Sequence, residues 1–143
     1  MVYSGLRIAL LMAGLCLASA TGVPVAAAQA APGFVVTFPQ GSAELSMEQR
    51  RVILAAIRRF RENCRRRCTQ IEVIGHASPS ESPGTAVALS HQRAEEVAAD
   101  LLIEGIGIDQ ITVRAVGAAA PAVPNPKNEE DDARNRRVVL LLH

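Results

Sequence analysis

Short apolar segments of β type alternate along this chain with two longer amphipathic segments, and this order constrains the fold more than any other feature. The β-type segments are rich in Val, Ile and Leu and cover residues 34–38, 71–75, 111–116 and 137–142. One amphipathic segment precedes the second of them and one precedes the third. The order β-α-β-α-β-β predicts an α+β fold, a two-layer sandwich in which both helices pack on a mixed four-stranded sheet.

Capping signals and apolar periodicity predict where the two helices lie. Ser46 stands three residues before Gln49, which is the pattern of a capping box. Ser90 is predicted to cap the second helix, after a loop over residues 76–88 that is rich in Pro, Ser and Gly. A second irregular connection is predicted over residues 117–132. The predicted buried stripes are Val52, Ile53, Ala56, Ile57 and Phe60 in the first helix, and Ala94, Val97, Ala98, Leu101 and Leu102 in the second.

Residues 1–30 are predicted to be a cleaved signal peptide and not part of the fold. One positive charge precedes an apolar run of ten at residues 8–17. The small residues that follow offer Ala28-Gln29-Ala30 as a cleavage site of the A-x-A type. We expect cleavage after Ala30, with Ala20 and Ala28 as alternatives, to leave an exported, periplasmic domain over residues 31–143.

An uncleaved N-terminal membrane anchor is the alternative interpretation of the same segment. A helix needs about 20 apolar residues to cross a bilayer, and this run has ten. No later apolar run is long enough to span a membrane. We therefore predict no transmembrane segment in the mature chain.

Composition argues against nucleic-acid binding. Aromatic residues make up 3% of the chain, which contains no Trp and one Tyr. A binder of single strands needs several exposed aromatic rings on which bases can stack. The formal net charge of +1 also lacks the basic field that a duplex binder presents to phosphates.

Cys64 and Cys68 lie close together at the predicted end of the first helix. In an oxidising compartment we expect them to form a disulfide. Because a regular helix suits that geometry poorly, we also expect the helix to unwind near Cys64. A zinc site that uses both cysteines and His76 is the alternative, but the sequence offers no fourth ligand for it. We predict no metal site and no cofactor.

The end of the same helix is strongly basic. One interpretation is that these cations complement the helix dipole. The other is a surface that binds acidic envelope polymers or lipid headgroups. The residues concerned are Arg58, Arg59, Arg61, Arg65, Arg66 and Arg67.

Three separated segments carry a resemblance to a known family. They are the stretch Phe38–Leu45, the central pair Gly75-His76 followed by Leu89-Ser90-His91-Gln92-Arg93-Ala94, and the closing stretch Asn135–Val138. In this order they resemble the opening, central signature and closing motif of the OmpA-like domain, the peptidoglycan-binding module at the C-terminus of many envelope proteins. The match covers residues 34–142.

The resemblance implies non-covalent binding to the peptidoglycan stem peptide. In the family, the loop and the second helix bind diaminopimelate, which carries both an ammonium and a carboxylate. An Asp three residues after the signature Gly and the Arg of the Leu-Ser-x-x-Arg-Ala helix supply the two charges. Arg93 matches that Arg, and a guanidinium can bind a carboxylate through two hydrogen bonds. The alternative role for Arg93 is an exposed helix residue or a fold-stabilising ion pair.

The loop departs from the family pattern at several positions. Ala77 and Ser78 replace the Thr-Asp pair, and Gly41 stands where the family has an Asn near the first strand. Ser78 can accept a hydrogen bond from an ammonium but cannot neutralise its charge. Glu81 is the only acid in the loop, and our hypothesis is that it restores the missing negative charge.

The remaining polar residues predict no catalytic centre. His76, His91 and Ser78 lack an acid placed to orient a His, and no nucleophile elbow is present. By resemblance, His76 orients the loop through hydrogen bonds. Arg137 either contacts the wall ligand or pairs with the acidic run at residues 129–132.

Two functional interpretations follow. The first is an exported OmpA-like module that binds the peptidoglycan stem peptide and links or positions itself in the cell envelope, beside the outer membrane. The second is a module of the same fold with a diverged site, whose partner is an envelope protein.

Overall fold

The computed structural model describes residues 33–63 and 69–143. Four strands, three helices and one short 3-10 turn at Ile108–Gln110 make up this part of the chain. In chain order the elements are β1 Phe34–Thr37, α1 Met47–Asn63, β2 Ile71–Gly75, α2 Pro83–Ile103, β3 Ile111–Ala115, α3 Glu129–Ala133 and β4 Arg137–Leu142.

The strands form one mixed sheet in the order β1-β4-β2-β3. Strand β4 is antiparallel to both of its neighbours, with Val138 opposite Val36 in β1 and Gly75 in β2. Strands β2 and β3 are parallel, with Val73 opposite Val113. The predicted α+β fold, with a mixed four-stranded sheet and helices packed on it, is therefore confirmed.

This topology brings three loops to one edge of the sheet. Strands β1, β2 and β3 run in the same direction, so their carboxyl ends lie together where the antiparallel β4 begins. The loops at residues 38–46, 76–82 and 116–128 therefore meet there. We call this the loop edge. Gly41, Ala77, Ser78 and Glu81 lie in its loops, whereas Arg93 lies on α2 and Arg137 begins β4.

The core lies between one face of the sheet and the two long helices. Strand residues with alternating spacing point into it, as expected for a sheet covered on one face. The most completely buried apolar side chains are Val36, Ile53, Ile57, Ile71, Val73, Val97, Leu101, Val138 and Leu140. The predicted helical stripes supply nearly half of this core, but Leu102 is 42% exposed, and its predicted burial is wrong.

The capping box predicted for α1 is confirmed. The Ser46 amide donates to Gln49 Oε1, and the Gln49 amide donates to Ser46 Oγ over 3.5 Å. The predicted start of the second helix is wrong, because α2 begins at Pro83 and the loop before it is correspondingly shorter. Proline suits the first helical turn because its missing amide would have no partner there.

Ser90 is thus an interior residue of α2 and not its cap. Its Oγ donates to the Val87 carbonyl over 2.8 Å and accepts from the Gly117 amide over 3.0 Å. The side chain thereby ties α2 to the turn that follows β3.

Helix α3 lies within the connection that was predicted to be irregular. Asn128 caps it, since its Oδ1 accepts from the Asp131 amide over 2.9 Å. The first turn is acidic, and negative charges near a helix N-terminus are favourable. The helix has five residues, which is too short to produce a clear apolar period.

Some predictions concern residues that the structure does not describe. The signal peptide at residues 1–30, the Cys64–Cys68 disulfide and the unwinding near Cys64 lie outside the described residues and stay predictions. Within residues 33–63 and 69–143, no helix combines the length and the apolarity needed to cross a membrane.

The packing of α2 on β2 generates the first testable prediction. A Cβ added to Gly75 would lie 1.9 Å from the Ser90 carbonyl oxygen, so Gly75→Ala must displace the helix backbone. We expect a loss of about 3 kcal/mol or more in the free energy of unfolding, as for overpacked core positions. Urea denaturation followed by circular dichroism measures it.

Gly84→Ala is the matched control. A Cβ at Gly84 meets nothing within 4 Å, and alanine favours a helix over glycine by about 0.5–1 kcal/mol. This control should be neutral or slightly stabilising. A Gly75→Ala variant as stable as the Gly84→Ala variant would contradict the close approach of α2 to β2.

Candidate functional site

Arg93 lies at the centre of the loop edge and is fully buried, with a relative exposure of 0%. All five of its N–H donors have acceptors within the chain. Its Nε donates to the Ser42 carbonyl over 2.8 Å, Nη1 to the His76 carbonyl over 3.3 Å, and Nη2 to the Pro39 carbonyl over 3.4 Å. Nη1 and Nη2 also donate to the two oxygens of Glu81, over 3.3 and 2.9 Å.

The Glu81 carboxylate is held from several sides. Besides Arg93, the Ser78 amide donates to its Oε2 over 2.9 Å, and the Gly41 amide donates to its Oε1 over 3.4 Å. Gly41 has a φ of 67°, in the left-handed region that favours glycine. We call the Arg93 guanidinium and these two amides the carboxylate cradle.

The carboxylate cradle keeps Glu81 ionised. Burial by itself would raise the pKa of Glu81, since it penalises the charged form. The hydrogen bonds and positive charge of Arg93, together with those from the Ser78 and Gly41 amides, outweigh burial and lower the pKa of Glu81 below its ordinary value.

A second buried ion pair lies beside the first. Asp132, on α3, accepts from Ser80 Oγ over 2.6 Å, from Arg136 Nη1 over 2.7 Å and from Ser78 Oγ. Arg136 is 2% exposed and donates through Nη2 to Glu129. Burial would raise the pKa of Asp132, but the two serine hydroxyls and Arg136 lower it below the ordinary value. We call these residues the Asp132 cluster.

Ser78 connects the two ion pairs. Its amide donates to Glu81, and its hydroxyl donates to Asp132. The carboxylate of Asp132 and the Arg93-bound carboxylate of Glu81 therefore both contact one small residue. A zwitterionic ligand requires an anion and a cation, and these two ion pairs place both signs of charge at the loop edge.

An open groove of about 360 Å³ runs past the Asp132 cluster. Lys127 and Glu129 are exposed on it, so both signs of charge are present at its mouth. The groove is lined by Gln40, Ser80, Pro126, Lys127, Asn128, Glu129 and Asp132.

His76 and Arg137 adjoin one another at the start of β4. The His76 amide donates to the Arg137 carbonyl over 2.8 Å, and Arg137 Nη2 donates to the Ala120 carbonyl over 3.3 Å. Burial lowers the pKa of His76 to about 4, and the positive charge of Arg137 acts in the same direction. A hydrogen bond with the Ala120 backbone partly opposes this shift. Its Nδ1 and the Nη1 of Arg137 are buried without a partner among the described residues.

The structure thus brings together most of the residues that the sequence singled out. Gly41, Ser78, Glu81 and Arg93 form one connected network. Ala77 is buried beside it, and its amide donates to the Gly117 carbonyl over 2.9 Å. The side chain of Arg137 donates instead to the Ala120 carbonyl.

Sequence reasoning missed the Asp132 cluster. The sequence offered Arg137 as a partner for the acidic run at residues 129–132, whereas Arg136 makes the ion pairs with Asp132 and Glu129. The spacing of four between Asp132 and Arg136 gives no helical signal, because Arg136 lies beyond the end of α3 at Ala133.

In residues 33–63 and 69–143, no group of three or more His, Cys, Asp or Glu side chains is placed to hold an ion. The polar groups of the loop edge instead form hydrogen bonds and ion pairs with each other.

Comparisons with known proteins agree with this fold. The peptidoglycan-associated lipoprotein of Burkholderia pseudomallei superposes with a TM-score of 0.67 at 22% identity, covering 76% of this chain and 89% of that one. The C-terminal domain of Helicobacter pylori MotB gives a TM-score of 0.67 at 21% identity, over 76% and 83% of the two chains. These structures define the class as an α+β module of the kind described above.

The family follows from a sequence match. A model described as OmpA family matches residues 37–136, and the chain belongs to that family. A protein named "Probable lipoprotein YiaD" from Escherichia coli is 34% identical over 74 residues, 52% of this chain and 33% of that protein. An "Outer membrane protein" of Gluconacetobacter diazotrophicus is 29% identical over 116 residues, 77% and 30% of the two. The chain spans about a third of these curated relatives.

The pKa of Glu81 generates a prediction about acid stability. A carboxyl whose pKa is lower in the folded than in the unfolded state stabilises the fold above its unfolded value of about 4.3. That contribution is lost as the pH falls through the folded pKa. Glu81→Gln should therefore cost about 3 kcal/mol of unfolding free energy at pH 7, and less as the pH falls below about 4. Urea denaturation at several pH values measures the difference.

Glu130→Gln removes the same charge from an exposed position on α3 and is the matched control. Its stability should equal that of the wild type within about 0.5 kcal/mol at neutral pH. An effect of Glu81→Gln that is equally small would contradict the carboxylate cradle.

Proposed function

We propose that this chain is an exported module of the cell envelope that binds peptidoglycan non-covalently, through the diaminopimelate of the stem peptide. Membership of the OmpA family supports a role in the envelope. The structural relative named as a peptidoglycan-associated lipoprotein supports the wall as the ligand. The role is one of binding and positioning and involves no covalent chemistry.

One observation carries the proposal to the level of residues. Asp132 lies at an open groove, and Ser78, which donates to it, also donates to the Glu81 carboxylate that pairs with Arg93. The zwitterionic centre of diaminopimelate requires an anion for its ammonium and a cation for its carboxylate. In the proposed complex the ammonium binds the Asp132 carboxylate, beside the Ser80 hydroxyl and the charge of Glu129.

In the proposed complex, Asp132 supplies the negative charge that the family Asp provides at the position of Ser78. Ser78 does not carry a charge, but its hydroxyl donates to Asp132 and fixes the orientation of that carboxylate. The lowered pKa of Asp132 keeps it ionised at neutral pH. In this proposal the negative charge comes from α3 and not from the β2–α2 loop.

The signal peptide predicted at residues 1–30 directs the domain to the periplasm in this proposal. There it would reach the cell wall and the inner side of the outer membrane. Two relatives whose names refer to lipoproteins or the outer membrane support this location.

A second candidate function is an envelope interaction module that binds a protein and no wall ligand. The specific observation that favours it is that every N–H of Arg93 already has an acceptor within the chain. The exposed arginines at the end of α1, Arg58, Arg59 and Arg61, would then form a surface for an acidic partner.

A pull-down on purified peptidoglycan sacculi tests the proposal. The wild type should bind at low ionic strength, and free diaminopimelate should compete with the sacculi. Asp132→Asn keeps the size of the side chain and removes its charge. Since a hydrogen bond to a charged group contributes about 1.5–3 kcal/mol, the variant should bind at least about tenfold more weakly.

Glu130→Gln, two residues before Asp132 and outside the groove lining, is the control for net charge and should bind like the wild type. Thermal unfolding of each variant verifies that it is folded. A wild type that ignores sacculi would overturn the proposal in favour of the protein-binding module. Binding that survives Asp132→Asn but disappears at raised salt would assign it to the arginine-rich end of α1, because exposed charges are screened.

A further inference from the structure

The carboxylate cradle has the composition of a binding site for a free carboxylate. Two guanidinium nitrogens of Arg93 donate hydrogen bonds to the two carboxylate oxygens of Glu81. The amides of Ser78 and Gly41 donate to the same oxygens. The donors come from three segments of the chain: the β1–α1 loop, the β2–α2 loop and α2. Bidentate guanidinium contacts together with backbone amides are how proteins recognise ligand carboxylates.

The residue that fills the carboxylate cradle sits on a short surface turn. The Glu81 amide donates to the Ser78 carbonyl over 3.1 Å, and the flanking Pro79, Ser80 and Ser82 are exposed. The side chain of Glu81 reaches inward, where it is 4% exposed. The carboxylate is therefore attached to the fold in the manner of a tethered ligand.

The carboxylate cradle also adjoins the open groove. Ser78 contributes its amide to the cradle and its hydroxyl to the Asp132 cluster. A ligand whose ammonium lies at Asp132 would place a carboxylate near Ser78. The position that this carboxylate needs on Arg93 is the one that Glu81 occupies.

The resemblance assigns the Arg93 guanidinium to a carboxylate of the stem peptide; we propose that Glu81 is a resident intramolecular ligand of the carboxylate cradle, which occupies this position and is displaced when the wall binds. This inference rests on the function proposed above. It adds that the Glu81 carboxylate competes with the stem-peptide carboxylate for the same donors. A tethered group acts at a high effective concentration, so the apparent affinity for the wall is reduced by the fraction of molecules in which Glu81 is bound.

Chemical rescue by acetate tests the receptor without any wall ligand. Glu81→Ala removes the carboxylate and leaves its donors and its volume free. Acetate should raise the Tm of this variant in a saturable manner, compared with chloride at equal ionic strength. At five times its dissociation constant, acetate should raise the Tm by about 4–8 °C for a domain of this size.

Two control variants separate rescue from a general salt effect. Glu81→Gln loses the same charge but keeps the space filled, so acetate should not raise its Tm. Glu72→Ala removes a carboxylate from an ion pair of 2.9 Å with the exposed Arg114, where no enclosed site remains. If Glu81→Ala is unfolded without additive, recovery of its circular dichroism signal with rising acetate is measured instead.

The wall-binding arm tests displacement. Glu81→Ala should bind sacculi at least about tenfold more tightly than the wild type, as expected when an internal competitor is removed.

A Tm that does not respond to acetate, or a response equal to that of Glu81→Gln, would overturn the receptor even if the wild type binds sacculi. Rescue by acetate while Glu81→Ala binds sacculi no better than the wild type would overturn displacement. Rescue without any sacculus binding by either protein would retain the receptor and refute the proposed function.

Discussion

The loop edge depends on one buried cation. Arg93 lies on α2, and its guanidinium joins the β1–α1 loop, the end of β2 and the β2–α2 loop through five hydrogen-bond donors. Its charge also lies 5.6 Å from the centre of the Phe38 ring, within the range of a cation–π contact. A buried charge is tolerated only when it is paired and fully hydrogen-bonded, and Glu81 provides that pairing.

The topology of the sheet places these groups where they can meet. Three parallel strands end at the same edge at which β4 begins, so segments far apart in sequence supply one polar layer above the core. Ser78 couples the Arg93–Glu81 pair to the Asp132–Arg136 pair. Because each buried carboxylate depends on donors from another element, a change at one pair should alter the other, as is usual for connected polar networks.

The fold could be predicted from the sequence to a large extent because its signals are local and redundant. Apolar periodicity and the Ser46–Gln49 capping box predict α1, and alternation predicts the strands. The start of α2 could not be placed in the same way, since Ser90 has the chemistry of a cap but uses its hydroxyl to hold Gly117. Helix α3 could not be predicted, because its five residues form no apolar stripe. It is held instead by the tertiary contacts of Asp132.

The candidate site could be predicted only in part, for a physical reason. Resemblance pointed to Arg93, Ser78 and Gly41, and the lone acid in the loop pointed to Glu81. Sequence spacing does not show which acceptors a guanidinium chooses, so the pairing of Arg93 with Glu81, and of Asp132 with Ser78, emerges only from the folded chain. The charge at position 132 was hidden within a run of four acids, whose other members lie nearer the surface.

A double-mutant cycle between Arg93 and Glu81 tests the central claim most directly. It uses Arg93→Met, Glu81→Gln and the double variant, with unfolding free energies from urea denaturation at neutral pH. Each single variant leaves one buried charge without its partner, which costs about 3–5 kcal/mol. We expect a coupling energy of at least about 2 kcal/mol, with the double variant more stable than the sum of the single losses implies. Losses that add independently would show that Glu81 does not hold the Arg93 guanidinium.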